Sequence, residues 1–483
     1  MVQDADRLLN GCLMTTPSQL DARTARILPW IIAIAFFMQT LDGTILNTAL
    51  PAMARDLGED PLRMQSVVIA YMLTVALLIP ASGWIADRFG TRRIFYSAIA
   101  LFSFGSLLCA LSWSLPMLVA ARIVQGIGGA LMMPVGRLVV LRAYPRTELV
   151  RIMSFITLPG LLGPLTGPAL GGWLVEAASW HWIFLINIPV GLLGVWAARR
   201  FMPDMRGPLQ SRFDGIGFIL FAGAIALVSI ALEALAAHDL SALRITVMLV
   251  AGLGLLAVYW LRAARVPHPL FSPSLFSTPT FAAGILGNLF ARLGSGALPF
   301  LTPLLLQLAL GYSPAQAGMS MIPLALGAMA AKPLAKPLID RFGYRRVLTI
   351  NTLLLGSLIA SMAMVGTETS TVQLVVQLGL IGVINSLQFA AMNTVTLIDL
   401  DNTEASSGNS LLSVVVQLAM SLGVATAAAL LSGFSGEFEA VHSAFQATYL
   451  CVGLLSMLAA AIFLQLDPLD GRRARPVEPP PED

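Results

Sequence analysis

Of the 483 residues, 57% are hydrophobic and 11% charged, with mean hydropathy +0.80 and a formal net charge of +3. Soluble chains average about a quarter charged residues, so these side chains cannot cover a water-soluble fold of this length, and lipid must be the outer solvent. Apart from Lys332 and Lys336 the cations are arginines scattered along the chain, which leaves no patch for nucleic acid.

Residues 1–26 read as a short cytoplasmic tail. Within it Leu9-Asn10-Gly11-Cys12 faintly resembles a lipoprotein cleavage site, but it is preceded by Asp4 and Asp6 and by no long apolar run. Cys12, Cys109 and Cys451 are far apart and form no CxxC pair, so neither a disulfide framework nor a metal site is expected. Long apolar runs begin at Ile27, Met64, Ile94, Pro116, Ile152, Ile183, Phe213, Ile245, Phe281, Ala315, Val347, Val372, Ser407 and Gln446. Each is near the ~20 residues that cross a ~30 Å core, which predicts about fourteen helices. The runs are continuous rather than alternating, so a barrel is excluded.

An even helix count puts both termini on one side, and loop charge says which. Arg88, Arg92, Arg93, Arg142, Arg146, Arg151, Arg199, Arg200, Arg206 and Arg212 fall in alternate loops, with Arg262, Arg265, Arg341, Arg345, Arg346 and the tail residues Arg472, Arg473 and Arg475 at the same parity. The opposite loops hold little beyond Arg55, Arg63 and Arg244. Positive charge stays inside, so both termini are expected in the cytoplasm.

The first helix carries Leu41-Asp42-Gly-Thr-Ile-Leu-Asn47-Thr-Ala-Leu-Pro51. At ~1.5 Å per residue Asp42 lies about 8 Å from the outer face. The second helix closes on Gly83-Trp-Ile-Ala-Asp87-Arg88-Phe-Gly90-Thr-Arg92-Arg93. A carboxylate there can sit at a neighbouring helix N-terminus, with the arginines as counter-charges. Such a contact would exist only while the cytoplasmic ends are together, a conformational latch; charge that merely sets topology explains the arginines equally well. The fourth helix carries Arg122-Ile-Val-Gln125-Gly126-Ile-Gly128-Gly129. Arg122 is about 9 Å from the outer face, so an ion pair with Asp42 is open, either functional or structural.

In the fifth helix, Gly163-Pro-Leu-Thr-Gly167-Pro168-Ala-Leu-Gly171-Gly172 places small residues on one face for close approach by another helix. Trp180 and Trp182 fit an outer aromatic belt. The runs Phe213 to Leu232 and Ile245 to Leu261 stand between two similar stretches, because Lys336-Pro-Leu-Ile-Asp340-Arg341-Phe-Gly343-Tyr-Arg345-Arg346 repeats the Asp87 motif at the end of the tenth helix, with Lys336 where Gly83 stands in the first copy. Two six-helix halves with an inserted pair account for the total. The expected division is tail 1–26, N-terminal half 27–202, inserted pair 203–265, C-terminal half 266–466 and tail 467–483. Such repeats build a central site with two access states.

Arg292 falls about 16 Å into the ninth helix, near the midplane, where snorkelling cannot reach water. Lys332 lies about 8 Å from the cytoplasmic face, and it and Arg137 fit snorkelling better than ligand binding. Asn47, Asn288, Asn385, Gln388, Asn393 and Gln417 add uncharged polar groups, some of which only join helices by hydrogen bonds.

The four motifs, in this order, resemble the fourteen-helix drug:proton antiporter branch of the major facilitator superfamily, and within it the MdtD-type members. The likeness spans nearly the whole chain. It implies an all-α membrane fold and a proton-driven exporter of the bacterial inner membrane, with Asp42 and Arg122 in proton coupling. It also implies that the fifth-helix motif lies against the other half, near the pivot. Candidate substrate residues are Arg292, Asn47, Gln125, Asn288, Gln388 and Lys332. No cofactor is expected beyond the proton gradient, the partners are a small molecule, protons and lipid, and the chain is expected to act as a monomer. Because Arg292, Arg122 and Lys332 face only Asp42 as a buried acid, export of organic anions or their metal chelates is an alternative to drug export.

No Gly-x-x-x-x-Gly-Lys loop is present, so ATP is not the fuel. An intramembrane enzyme lacks its constellation, since His181, His238, His268 and His442 fall in loops or at helix ends. A channel would need a filter or ring. A non-transporting sensor of the same fold stays open.

Overall fold

The computed structural model describes residues 21–207, 213–237, 241–401, 404–438 and 440–467; Leu9 to Cys12, Arg212, His238 and the tail residues Arg472, Arg473 and Arg475 lie outside them. Among the described residues, fourteen helices are long and apolar enough to cross a membrane. They are α1 Arg23–Thr48, α2 Gln65–Phe89, α3 Thr91–Ala110, α4 Leu115–Ala143, α5 Thr147–Ala177, α6 Trp182–Phe201 and α7 Gly215–Ala234. There follow α8 Ala242–Ala263, α9 Pro279–Ala309, α10 Pro314–Phe342, α11 Tyr344–Met364, α12 Thr371–Leu397, α13 Ala405–Glu437 and α14 Val441–Phe463. No strand occurs among the described residues.

Helix starts depart most from the apolar runs at α5, expected at Ile152 and beginning at Thr147, and at α14, expected at Gln446 and beginning at Val441. Both first turns carry polar residues, Glu148 and Arg151 in one and His442 and Ser443 in the other. Helical hydrogen bonding continues past the point where apolarity stops. The prolines of α5 (Pro159, Pro164 and Pro168) lie inside one unbroken helix, which a membrane helix tolerates when neighbours satisfy the freed carbonyls.

The internal repeat is visible in the packing. In the first half α1 packs on α4, α5 and α6, α2 on α4, and α3 on α4 and α6; α9 to α14 repeat every one of these pairings in the same order. The halves meet along two seams related by the same exchange, α2 against α13 and α5 against α10. Both copies of the Asp87 motif end their helix on a glycine with positive φ, Gly90 at 91° and Gly343 at 77°, a conformation other residues reach only with strain.

The inserted helices α7 and α8 pack on each other, and α7 also reaches α13 and α2, so the pair covers one of the two seams. Phe221, Tyr259 and Phe271 join Ala76, Phe281 and Leu411 in one apolar cluster there. Asp214 fixes the start of α7 by an ion pair to Arg262 at 2.7 Å and by accepting from the Leu270 amide at 3.3 Å. Among the described residues no comparable helix pair packs over the other seam, α5 against α10.

The molecule has two unlike ends. At the Trp180 end the halves share one core, in which Leu46, Leu50 and Met53 meet Leu298, Leu301 and Leu304. Gln307 donates to the Thr48 carbonyl at 3.0 Å and the Ala315 amide to Glu176 at 3.2 Å, both across the halves. At the Asp87 end a cavity of about 920 Å³ separates them.

Candidate functional site

Asp42 of α1 and Arg122 of α4 are brought together, each 1% exposed, with Arg122 Nη1 2.7 Å from Asp42 Oδ2. Two isolated charges at this depth would be costly, and the structure compensates them with a closed network. Gln125, one turn along α4, accepts from Arg122 at 2.8 Å and donates to Asp42 Oδ1 at 2.8 Å. Asn187 of α6 donates to the same oxygen at 3.2 Å and to Ser106 at 3.1 Å. Arg122 Nε donates to the Val67 carbonyl at 3.3 Å, and the guanidinium lies over the Tyr71 ring at 4.3 Å. Arg122 therefore keeps neutral partners of its own, independent of the charge on Asp42.

The cavity begins beside this network and runs to the Asp87 end. The first half lines it with Gln39, Tyr71, Met72, Trp84 and Arg137, the second with Phe389, Asn393, Asn409, Gln417 and Met420. Such a mix of aromatic, methionine and uncharged polar side chains suits ligands of varied shape. Arg137 does not snorkel to the lipid surface, as its depth suggested, but lines this cavity, with no carboxylate among the described residues within ion-pair distance.

None of the six candidate substrate residues is among those lining the cavity. Gln125 belongs to the Asp42 network. Asn47 is buried in the 3₁₀ turn Leu46–Thr48, toward the Trp180 end. Gln388 donates to Thr352 at 2.7 Å and accepts from Asn351 at 2.8 Å, tying α12 to α11. Lys332 is exposed on α10, as a snorkelling side chain should be. Arg292 and Asn288 lie one layer behind the wall. Arg292 donates to Asn288 at 2.9 Å and to Asn393 at 3.5 Å, with its guanidinium 4.2 Å from the centre of the Phe389 ring. No carboxylate among the described residues pairs with it.

The Asp87 motif differs from its expected geometry. Among the described residues no backbone amide is seen to donate to Asp87; it lies 2.6 Å from Arg142 at the end of α4, in its own half, as an ion pair without the alignment of a hydrogen bond. The first turn of α13, with Ser406 and Asn409, lines the same cavity from the other half. The chain leaving α6 holds the motif from outside: Thr91 N donates to the Met205 carbonyl at 3.0 Å, and Met205 N donates to Thr91 Oγ1 at 3.0 Å. Arg88 stacks on Trp84 at 5.8 Å, while Arg92 and Arg93 are exposed. In the second copy Asp340 pairs with Lys336 at 2.8 Å and Arg341 lies over Phe342 at 5.4 Å. A side chain at Gly83 would meet nothing within 4 Å, so Lys336 in the second copy forfeits no close helix approach in this state.

An ion pair as exposed as Asp87–Arg142 contributes about 1 kcal/mol or less. The pair lies within one half, at the end where the cavity parts the halves, so it is not itself the latch; if Asp87 makes a similarly exposed contact across the halves when this end closes, Asp87→Asn is expected to slow turnover by about fivefold at most while substrate affinity stays unchanged. Equal turnover in wild type and variant would reject the latch.

The α5 glycines divide between two neighbours. Gly163, Gly167 and Gly171 lie against Thr40, Thr44 and Ile45 of α1, within their own half. Gly172, Ala169 and the Pro168 carbonyl face the other half, against Pro314 and Gly318 of α10. The motif therefore packs mainly on α1, and its last turn alone touches the opposite half.

Asn187, Ser106 and Tyr71 are members of the site that the sequence reading passed over. The available signal was an asparagine inside the apolar run of α6, in Ile186-Asn187-Ile188.

The profile of the Major Facilitator Superfamily matches residues 32–214 and 284–482, and the break between them spans α7 and α8. A Serratia proteamaculans protein named "Putative multidrug resistance protein MdtD" is 51% identical over 442 residues, 90% of this chain and 92% of its own length. One of the same name from Yersinia pestis is 49% identical over 447 residues, 92% and 96% of the two chains. Among solved structures, the peptide transporter POT in complex with sulfate has a TM-score of 0.70 at 15% identity, covering 92% of this chain and 95% of that one. A bacterial homolog of the human lysosomal transporter Spinster, inward-facing and unoccupied, has 0.67 at 16% identity, covering 94% and 98%. At these identities the two structures are evidence for the fold alone.

Proposed function

This chain belongs to the Major Facilitator Superfamily and is a multi-pass membrane transporter, not an enzyme, and from that premise we propose that it exports small, drug-type molecules across the bacterial inner membrane in exchange for protons. The observation that carries the reading is the fully buried Asp42–Arg122 pair beside a cavity between the two halves. Drug-type export also draws on the two relatives named for multidrug resistance.

The arginine-rich loops fall at the Asp87 end, so by the positive-inside bias that end is the cytoplasmic one, both termini are cytoplasmic, and the cavity faces the cytoplasm. Substrate enters there while Asp42 is ionised against Arg122. Closing this end and parting the Trp180 end releases substrate outside, and the two access states interconvert by rocking of the halves about the α2–α13 and α5–α10 seams. Protonating Asp42 from outside removes one charge of the pair. Gln125, the Val67 carbonyl and the Tyr71 ring retain Arg122, which lowers the cost of that step. A proton and a substrate thus favour different states of one molecule, which is the requirement for exchange.

One observation favours a second reading, export of organic anions or their metal chelates. Among the described residues Arg292 has only neutral partners, and Arg137 lines the cavity with no carboxylate within ion-pair distance. Inside-out membrane vesicles loaded through a panel of lipophilic cations and carboxylates separate the readings. Gradient-dependent uptake of the cations is the expected result; uptake of carboxylates alone selects the second reading, and uptake indifferent to the proton gradient removes proton coupling.

A further inference from the structure

The closed network around Asp42 leaves open how a proton passes between the carboxylate and the cavity. Asp42 is 1% exposed and is not among the lining residues. Its two oxygens are engaged by Arg122, Gln125 and Asn187. Around it stand the Arg122 guanidinium, the Cys109 thiol, which donates to Gln125 at 3.6 Å, and the Tyr71 phenol. Of these groups only Tyr71 also lines the cavity.

Tyr71 is 5% exposed, and its hydroxyl oxygen is buried without a hydrogen-bond partner among the described residues. Gln39 Oε1 is buried and unpartnered in the same way. Orphaned buried polar atoms are uncommon, because each costs about 1–3 kcal/mol. These two are neighbours: the Gln39 side chain comes close to the Tyr71 hydroxyl as a hydrogen-bonding group without reaching the alignment of a bond, and both residues line the cavity. Gln39 precedes Asp42 by one turn on α1, about 4.5 Å nearer the cavity mouth. The Tyr71 ring extends inward from there to the Arg122 guanidinium, and Gly129 of α4 makes room for its hydroxyl, since a side chain at that position would collide with it.

We propose that Tyr71 and Gln39 form the port through which Asp42 exchanges its proton with the cavity, by holding cavity water between Tyr71 Oη and Gln39 Oε1. The inference rests on the proton-coupled reading above. In the cavity-open state the protonated Asp42 gives its proton to that water, the proton leaves toward the cavity mouth, and the carboxylate formed closes onto Arg122. No other bond changes. Both residues act through the water they hold and are positioning residues.

The test uses inside-out vesicles carrying the full chain, with two readouts: proton release on substrate addition, and substrate counterflow, which needs no net proton transfer. Tyr71→Phe keeps the ring over Arg122 and removes only the hydroxyl; Gln39→Leu removes the second oxygen. Each is expected to slow proton release at least about tenfold more than it slows counterflow, with a larger effect of heavy water than in wild type, at unchanged membrane level. Wild-type proton release in both variants overturns the port. So does an equal fall of release and counterflow, which would mark Tyr71 as packing for Arg122. Asp42→Asn serves as the third arm: proton release surviving in it overturns proton coupling at Asp42 itself, whereas its loss beside normal Tyr71→Phe and Gln39→Leu overturns the port alone.

Discussion

Asp42→Asn is expected to abolish efflux driven by a proton gradient, lowering it by at least about a hundredfold, while exchange down a substrate gradient persists. The substitution removes the titrating group and little else. Removing one partner of a buried ion pair ordinarily costs about 3–5 kcal/mol, because the survivor is left buried and charged. Here the asparagine keeps a carbonyl oxygen facing Arg122, and Gln125, the Val67 carbonyl and the Tyr71 ring stay in place. The variant should therefore still reach the membrane. A variant that folds, exchanges substrate and still responds fully to the gradient would take Asp42 out of the mechanism.

Arg292→Gln has the next largest expected effect, and it bears on substrate charge. Near the bilayer centre an unpaired cation costs at least ~2.5 kcal/mol even on permissive scales. Asn288, Asn393 and the face of Phe389 offset part of this. Phe389 is 45% exposed and lines the cavity, so it stands between Arg292 and an entering ligand. A carboxylate that displaces it gains a charge-assisted contact of about 1.5–3 kcal/mol, so the glutamine variant should transport carboxylated substrates about ten to a hundred times more slowly. Efflux of cationic dyes and the protein level should stay near wild type. Arg292→Lys should restore part of the loss, since it keeps the charge and lacks the planar fork. If Arg292 is instead a brace, the helices it joins are α9 and α12 through Asn393. Lower protein level and equal loss across all substrates in both variants would identify the brace.

Depth was legible in the sequence, and direction around the helix axis was not. A membrane helix converts residue number into height, so counting along the first and fourth helices put Asp42 and Arg122 at one level, and the structure joins them at 2.7 Å. Counting also put Arg292 near the middle of α9. Whether a side chain at that height faces the cavity, a neighbouring helix or lipid depends on helix rotation, which continuous apolarity does not encode. Height alone therefore makes Gln125 a substrate candidate, although it faces Asp42, and puts Arg137 at the lipid surface, although it faces the cavity. The glycine spacing in α5 identified a close-packed face but not its partner, which is mostly α1. Asp87 shows the same limit: its motif specifies a charged helix end, while Arg142 lies 55 residues further along and becomes its neighbour only because α2 packs on α4.

Proton release on substrate addition tests the central claim most directly. Inside-out vesicles are energised until their lumen is acidic, substrate is added outside, and the luminal pH is followed. The account predicts that the lumen becomes less acidic as substrate enters, with wild-type protein and not with Asp42→Asn. Substrate accumulation with no change in luminal pH, or the same change in both proteins, would contradict it.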